Sequence, residues 1–247
     1  MKHTILLLCL LAGFRLSAQD AREIVRKADE HVRGATSVAE MTIVTTRPAW
    51  TRSMDLKAWS KGTQYALILI QSPAREKGTV FLKRKKEVWN WLPALDRTIK
   101  LPPSMMAQSW MGTDFTNDDL VKESSVVDDY DHQLLGKEPQ GGRDCYKIQL
   151  VPKPNAPVVW GKIIAWIDTK DYLQLRTEFY DENGSLVQTM TASDLKTMGG
   201  RLLATHIEMV PAGKKGQKTE IVYKSLVFDK PLGDNFFSTD NMTKIKG

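Results

Sequence analysis

Apolar and polar side chains alternate with a period of two along most of this chain. Met54, Leu56 and Ala58 share one face of residues 53–60, and the pattern recurs over 38–50, 77–83 and 87–92. It returns over 130–137, 145–152, 160–168, 172–180, 186–198, 202–210 and 219–228. Successive side chains of an extended strand point to opposite sides, so each segment is predicted to be a strand with one buried face. Residues 64–71 (QYALILIQ) are apolar on both faces, as expected for a strand covered on each side. Turn-forming residues stand between the strands, among them Gly141-Gly142, Asn183-Gly184, Gly199-Gly200 and the stretch from Gly213 to Gly216. One segment has a helical period instead: over 20–33, Ile24, Val25, Ala28 and Val32 form a stripe, with Asp20 as cap and Glu23 three residues on. His31 lies beside that stripe and reads as a helix-end residue. A dozen strands at hairpin spacing and one long helix predict an antiparallel meander, mainly β, rather than a βαβ repeat. No internal repeat or linker divides the chain, so residues 19–247 are predicted to form one domain.

The pattern breaks once, between residues 89 and 120. Trp89 and Trp91 fall on one face of a strand, with Val88, Asn90 and Leu92 on the other. Pro102-Pro103 then removes two backbone donors, and Met105, Met106, Trp110, Met111 and Phe115 follow with no strand period. Loops normally cross the surface and are polar, so one this rich in Met and Trp must fold over a core or cover an apolar cavity. Methionine, unbranched and polarizable, repacks readily around ligands of variable shape. Residues 117–120 (NDDL) read as a capped helical turn closing the stretch.

The N-terminus carries a different signal. Lys2 and His3, an apolar run from Ile5 to Phe14 and Leu16-Ser17-Ala18 read as a secretory signal peptide, residues 1–18, cut near Ala18. The apolar run is too short to span a bilayer, so a soluble exported product is expected. Lys2 and Arg15 account for two of the +6 formal charges, which leaves a mildly basic chain without the basic face of a nucleic-acid binder. Cys9 falls inside the signal, and Cys145, within a predicted strand, has no disulfide partner and reads as a buried free thiol. Lys83, Arg84, Lys85 and Lys86 form a hairpin turn of four positive charges. It fits either a solvated turn or a contact for anionic headgroups or an acidic partner, which salt would weaken.

Chemistry is mostly absent. The chain has no G-x-S-x-G, no phosphate-binding G-x-x-x-x-G-K-[ST], no H-E-x-x-H and no C-x-x-C. His132 follows Asp128, Asp129 and Asp131, but strand alternation points it away from the two nearest carboxylates, which argues against a metal. His206 offers no visible acid partner. No catalytic residue and no cofactor are therefore expected. Composition fits equally a filled β core capped by the Met/Trp segment and a curved sheet around a cavity. An acyl chain suits the second, since burying about fifteen methylenes is worth on the order of 12 kcal/mol before ordering costs.

Residues 88–97 read VWNWLPALDR and 109–120 read SWMGTDFTNDDL, with WGKIIAWID at 160–168 and EFYDENG at 178–184. These resemble the outer membrane lipoprotein-sorting family, the LolA-like carriers of the Gram-negative periplasm. The match is to its longer branch, with the signature aromatic-x-Pro-x-x-x-Arg followed by Met-Gly-Ser/Thr-Asp-Phe-x-x-x-Asp-Leu. The likeness implies a half-open antiparallel barrel of eleven or twelve strands. An N-terminal helix and a short helical or loop lid would close it over a hydrophobic cavity. It further implies a carrier, not an enzyme, that receives lipoprotein acyl chains from an inner-membrane transporter and passes them to an outer-membrane acceptor. The best-studied carriers hold the lid shut with an arginine facing the cavity; Arg97 matches the branch signature without matching that residue. The cargo is thus lipoprotein acyl chains or a free lipid, phospholipid or fatty acid, carried by a monomer. Trp89, Trp91, Met105, Met106, Trp110, Met111 and Phe115 are expected to line or lid the cavity. Lys83, Arg84, Lys85, Lys86 and Arg97 are the candidate headgroup or partner contacts. An envelope-stress sensor or regulatory lipid-binding protein of the same fold is the alternative.

Overall fold

The computed structural model describes residues 6–122 and 125–245, with side chains from residue 20 onward except at 121 and 122. A long helix, α1 (Leu6–Arg33), precedes six strands: β1 (Thr36–Arg47), β2 (Trp50–Lys61), β3 (Tyr65–Ser72), β4 (Val80–Arg84), β5 (Glu87–Leu92) and β6 (Arg97–Leu101). After an irregular segment come β7 (Tyr130–Gln140), β8 (Arg143–Pro152), β9 (Lys162–Asp168), β10 (Gln174–Tyr180), β11 (Leu186–Met198), β12 (Arg201–Pro211) and β13 (Lys218–Phe228). A short helix, α2 (Thr239–Met242), lies near the C-terminus.

All thirteen strands form one antiparallel sheet in the order β6-β5-β4-β3-β2-β1-β13-β12-β11-β10-β9-β8-β7. Each half is a meander of hairpins, and the halves join where β1 pairs with β13. The two edges of the sheet, β6 and β7, are therefore consecutive in the chain, and residues 102–129 must cross from one edge to the other. The sheet is curled and open, not a closed barrel. Phe81 on β4 packs on Trp110, while Trp160, just before β9, donates to Asp119. Those strands are eight positions apart, roughly 38 Å of flat sheet, yet Trp110 and Asp119 are only nine positions apart in a stretch that begins with a helical turn. Curling brings apolar residues of strands from both halves, such as Ile43, Phe81, Ile163 and Ile221, into one buried cluster with Ala21, Val25 and Ala28 of α1.

Several boundaries differ from the sequence expectation. Trp50 begins β2, because Pro48-Ala49 makes the turn and Arg47 pairs with Trp50. β6 was not anticipated: it is five residues long, Arg97 through Lys100 are exposed, and it carries no buried face to give a period. Short, charged edge strands of this kind discourage pairing with other chains. Among the described residues the strands number thirteen rather than eleven or twelve. Helix α1 runs through Asp20 without a break, so Asp20 is not its cap; the apolar residues before it continue the helix, and Glu23 instead pairs with Arg26 at 2.6 Å. Of the expected signal segment, residues 1–5 lie outside the described residues. Among the described residues no helix is long and apolar enough to cross a membrane.

The outer face of β2–β5 is covered as well. Residues 229–245, for which the sequence suggested no role, pass back over it as a strap, and Phe237 and Met242 are buried against Trp59, Tyr65, Leu67, Leu69 and Leu82. The two-sided apolar pattern of β3 follows from this: Ile68 and Ile70 face the main core, Leu67 and Leu69 the strap.

Candidate functional site

The segment from Ser109 to Leu120 is built from short-range bonds. Trp110 is fully buried, its ring 5.2 Å from that of Phe81. Met111 and Gly112 both take left-handed backbone angles, φ 50° and 77°, reversing the chain beneath the indole. Such a conformation is uncommon for methionine, and the Arg52 guanidinium donates to the Met111 carbonyl and holds it. The Thr113 hydroxyl donates to the Trp110 carbonyl at 2.7 Å and accepts from the Phe115 amide at 3.2 Å. Next, the Thr116 hydroxyl accepts from the Asp119 amide at 3.1 Å while the Asp119 carboxylate accepts from the Thr116 amide at 2.8 Å, a reciprocal cap. The helical turn expected at 117–120 is present as Asp118–Lys122, a single π-type turn capped from Thr116.

Two strand ends fasten this segment to the sheet. Arg47, at the end of β1, donates from Nη1 to Asp114 Oδ2 and from Nη2 to Asp114 Oδ1, each at 3.0 Å, and from Nη2 to the Gly112 carbonyl at 3.1 Å. Thr219, at the start of β13, donates to Asp114 Oδ2 at 2.7 Å. Arg47 and Asp114 are 14% and 8% exposed, so this two-pronged ion pair is largely shielded from water. Arg47 and Arg52 were not among the expected site residues. Nothing in their strand pattern distinguishes them, although Asp114, their target, stands inside the motif at 109–120.

Between this segment, α1 and the sheet lies apolar space in three adjoining parts that share lining residues. The largest, about 320 Å³, runs under Val25, Ala28 and Val32 of α1, with Phe115, Met190 and Ile207 among the opposing walls. A second, about 210 Å³, reaches Leu150, Trp160, Ile163 and Phe179. A third, about 220 Å³, runs along Met41, Ala58 and Ile68 to Trp110. Asp119 and Leu120 border all three. Asp119 is the ionisable group at their junction; burial pushes its carboxyl above the ordinary aspartate range, against the opposing pull of bonds from the Thr116 amide and from the Trp160 indole at 3.2 Å.

The expected site residues divide between the two faces. Met106, Trp110 and Phe115 are buried in the main core, Met111 packs against it, and Met105 is half-buried, its carbonyl accepting from Asn117 at 2.9 Å. Phe115 and Trp110 border the cavity. Trp89 and Trp91 point to the opposite face and pack beside the strap cluster, because β5 turns Val88 inward. Lys83 is buried, donating to the Thr63 carbonyl at 2.6 Å, whereas Arg84, Lys85 and Lys86 are exposed at the hairpin tip and Arg97 on edge strand β6. The histidines among the described residues are tied structurally. The His132 ring bonds the Val126 carbonyl at 2.7 Å, His31 bonds the Leu202 carbonyl at 2.7 Å, and His206 has an acid neighbour after all, Glu220 at 3.0 Å across the sheet. Cys145 is a buried free thiol pushed up to about 11 by burial. Among the described residues no three His, Cys, Asp or Glu side chains converge on a metal position.

A family model described as that of an uncharacterized protein matches residues 62–244. A DUF1329 family protein from Desulfovibrio piger superposes with a TM-score of 0.83 at 24% identity, covering 92% of this chain and 99% of its own. A putative outer membrane lipoprotein-sorting protein domain from Vibrio parahaemolyticus gives 0.82 at 24% identity over 92% of this chain and 99% of its own. A LolA superfamily protein from Nitrosomonas europaea gives 0.77 at 25% identity over 90% and 98%. No protein of curated function matches the sequence. The match across residues 62–244 and the shared open sheet lead to one assignment: this chain belongs to the family of that uncharacterized protein, with the open sheet of the LolA superfamily.

Proposed function

We propose that this protein is a periplasmic carrier that takes acyl chains of lipoproteins or lipids into its cavity and shuttles them between the inner and outer membranes without chemistry. The observation that carries the reading is the apolar three-part space beneath α1 and the Ser109–Leu120 segment. Its largest part falls at the lower end of the size range of small-molecule pockets, roughly 300–1,000 Å³, and its walls offer dispersion and apolar burial rather than paired charges. The names borne by the relatives from Vibrio and Nitrosomonas point the same way. Phe115, Trp110, Met106 and Met111 sit at or behind the cavity wall and would give way to a ligand. Arg84, Lys85, Lys86 and Arg97, exposed at one hairpin tip and one sheet edge, would meet anionic headgroups or an acidic partner on a transporter or acceptor.

The test is mass spectrometry of lipids extracted from protein purified out of the periplasm without detergent. A carrier yields acylated lipid or lipopeptide in near-stoichiometric amount, and Phe115→Trp, which fills part of the largest space, lowers it. Lipid-free protein that also fails to bind a fluorescent fatty acid or acylated peptide would overturn the proposal.

A further inference from the structure

Asp119 is an unusual residue to find at the meeting point of three apolar spaces. Its Oδ2 accepts from the Thr116 amide at 2.8 Å and its Oδ1 from the Trp160 indole at 3.2 Å. Each carboxyl oxygen accepts two hydrogen bonds, so these donors leave acceptor capacity on both oxygens. No cationic side chain among the described residues pairs with it; the nearby Asp29, which borders the largest space, is engaged by Arg33 at 2.6 Å. The capping role explains the oxygen turned to the backbone. It does not explain a carboxyl on the cavity wall, since an uncharged amide oxygen, as in glutamine, accepts from the cap residue's amide at this position without placing an acid there.

We propose that Asp119 is a polar subsite inside the cavity that selects a ligand with an apolar body and a neutral hydroxyl, of the long-chain alcohol class, and disfavours a carboxylate at that depth. A hydroxyl donates to the acceptor capacity that the Thr116 amide and the Trp160 indole leave on the carboxylate, whereas a second carboxylate has no proton to donate and meets it as a like charge in a poorly hydrated space. This inference rests on the cavity being a binding site, and its test separates the two.

Delipidated protein is loaded with an apolar fluorophore, N-phenyl-naphthylamine, and titrated at neutral pH with hexadecane, hexadecanol and hexadecanoic acid. Wild type is expected to bind the alcohol about five- to tenfold more tightly than the alkane, the worth of one net hydrogen bond, and more tightly than the acid. Asp119→Leu removes the preference for the alcohol over the alkane. Asp119→Asn keeps a hydrogen-bonding group without the charge, so it retains that preference and gains affinity for the acid; it decides the matter should the leucine variant fail to fold. Displacement by all three ligands alike in wild type, or an unchanged pattern in Asp119→Asn, overturns the subsite and leaves the carrier standing. Failure of every ligand to displace the probe, or of the probe to bind, overturns both.

Discussion

Arg47 and Asp114 lie 67 residues apart in the chain and meet with both prongs of a guanidinium on both oxygens of a carboxylate. Their shielding decides what the contact is worth. An exposed pair contributes little, but removing one partner of a mostly buried pair strands the other charge, at a cost of about 3–5 kcal/mol. Arg47→Ala and Asp114→Ala are each expected to destabilise by that order, and the double variant by clearly less than the sum. Urea unfolding of the four proteins measures the coupling, and strictly additive losses would deny it. His132 supplies a pH dependence. Burial holds its imidazole below the usual 6.5, so the neutral ring is favoured in the folded state. The unfolded chain takes up the proton first as pH falls, and stability is lost from 6.5 downward until the folded form also protonates. His132→Gln is expected to flatten that loss between about pH 7 and 5. An equally steep loss in the variant would assign it to other groups.

At the level of elements, two pieces close the molecule in different ways. The Ser109–Leu120 segment is fastened by Arg47, Arg52 and Thr219 to one end of the β1–β2–β13 region, and its aromatic side chains enter the inner core. The C-terminal strap works on the outer face by packing around Phe237, 5.5 Å ring to ring from Tyr65, and by polar bonds such as Lys61 to Asp234 at 2.6 Å. Because the strap and the cavity lie on opposite sides of the sheet, their failures separate. Phe237→Ala should cost about 3–5 kcal/mol by leaving a void under the strap while leaving lipid content per folded molecule unchanged. Denaturation curves and lipid extraction on the same preparation check both halves, and a parallel loss of lipid would tie the strap to the binding site. The amphipathic stripe of α1 packs as its spacing indicates, Val25 and Ala28 inward, while Val32 is 48% exposed where the helix borders the cavity.

For the whole molecule, the decisive feature is that its two sheet edges are neighbours in sequence. A meander that begins in the middle, at β1, runs out to β6, crosses, and returns from β7 to β13 leaves one opening, bridged by the single long connection. Period-two alternation and turn residues determined nearly all the strands, because each strand has one buried face and every hairpin must reverse the chain locally. The motif at 109–120 was visible as an apolar break, and its residues are those that plug and fasten the opening. The strand β6, with no buried face, left no such trace, and Trp89 and Trp91 were placed on the correct common face with no indication of which side that face would meet. Alternation tells which residues point together. Whether they point at a strap or a cavity, which distant arginines meet Asp114, and that Asp119 ends at the junction of three apolar spaces depend on how a thirteen-strand sheet curls. That curl sums small twists between every neighbouring pair of strands and is written in no local segment.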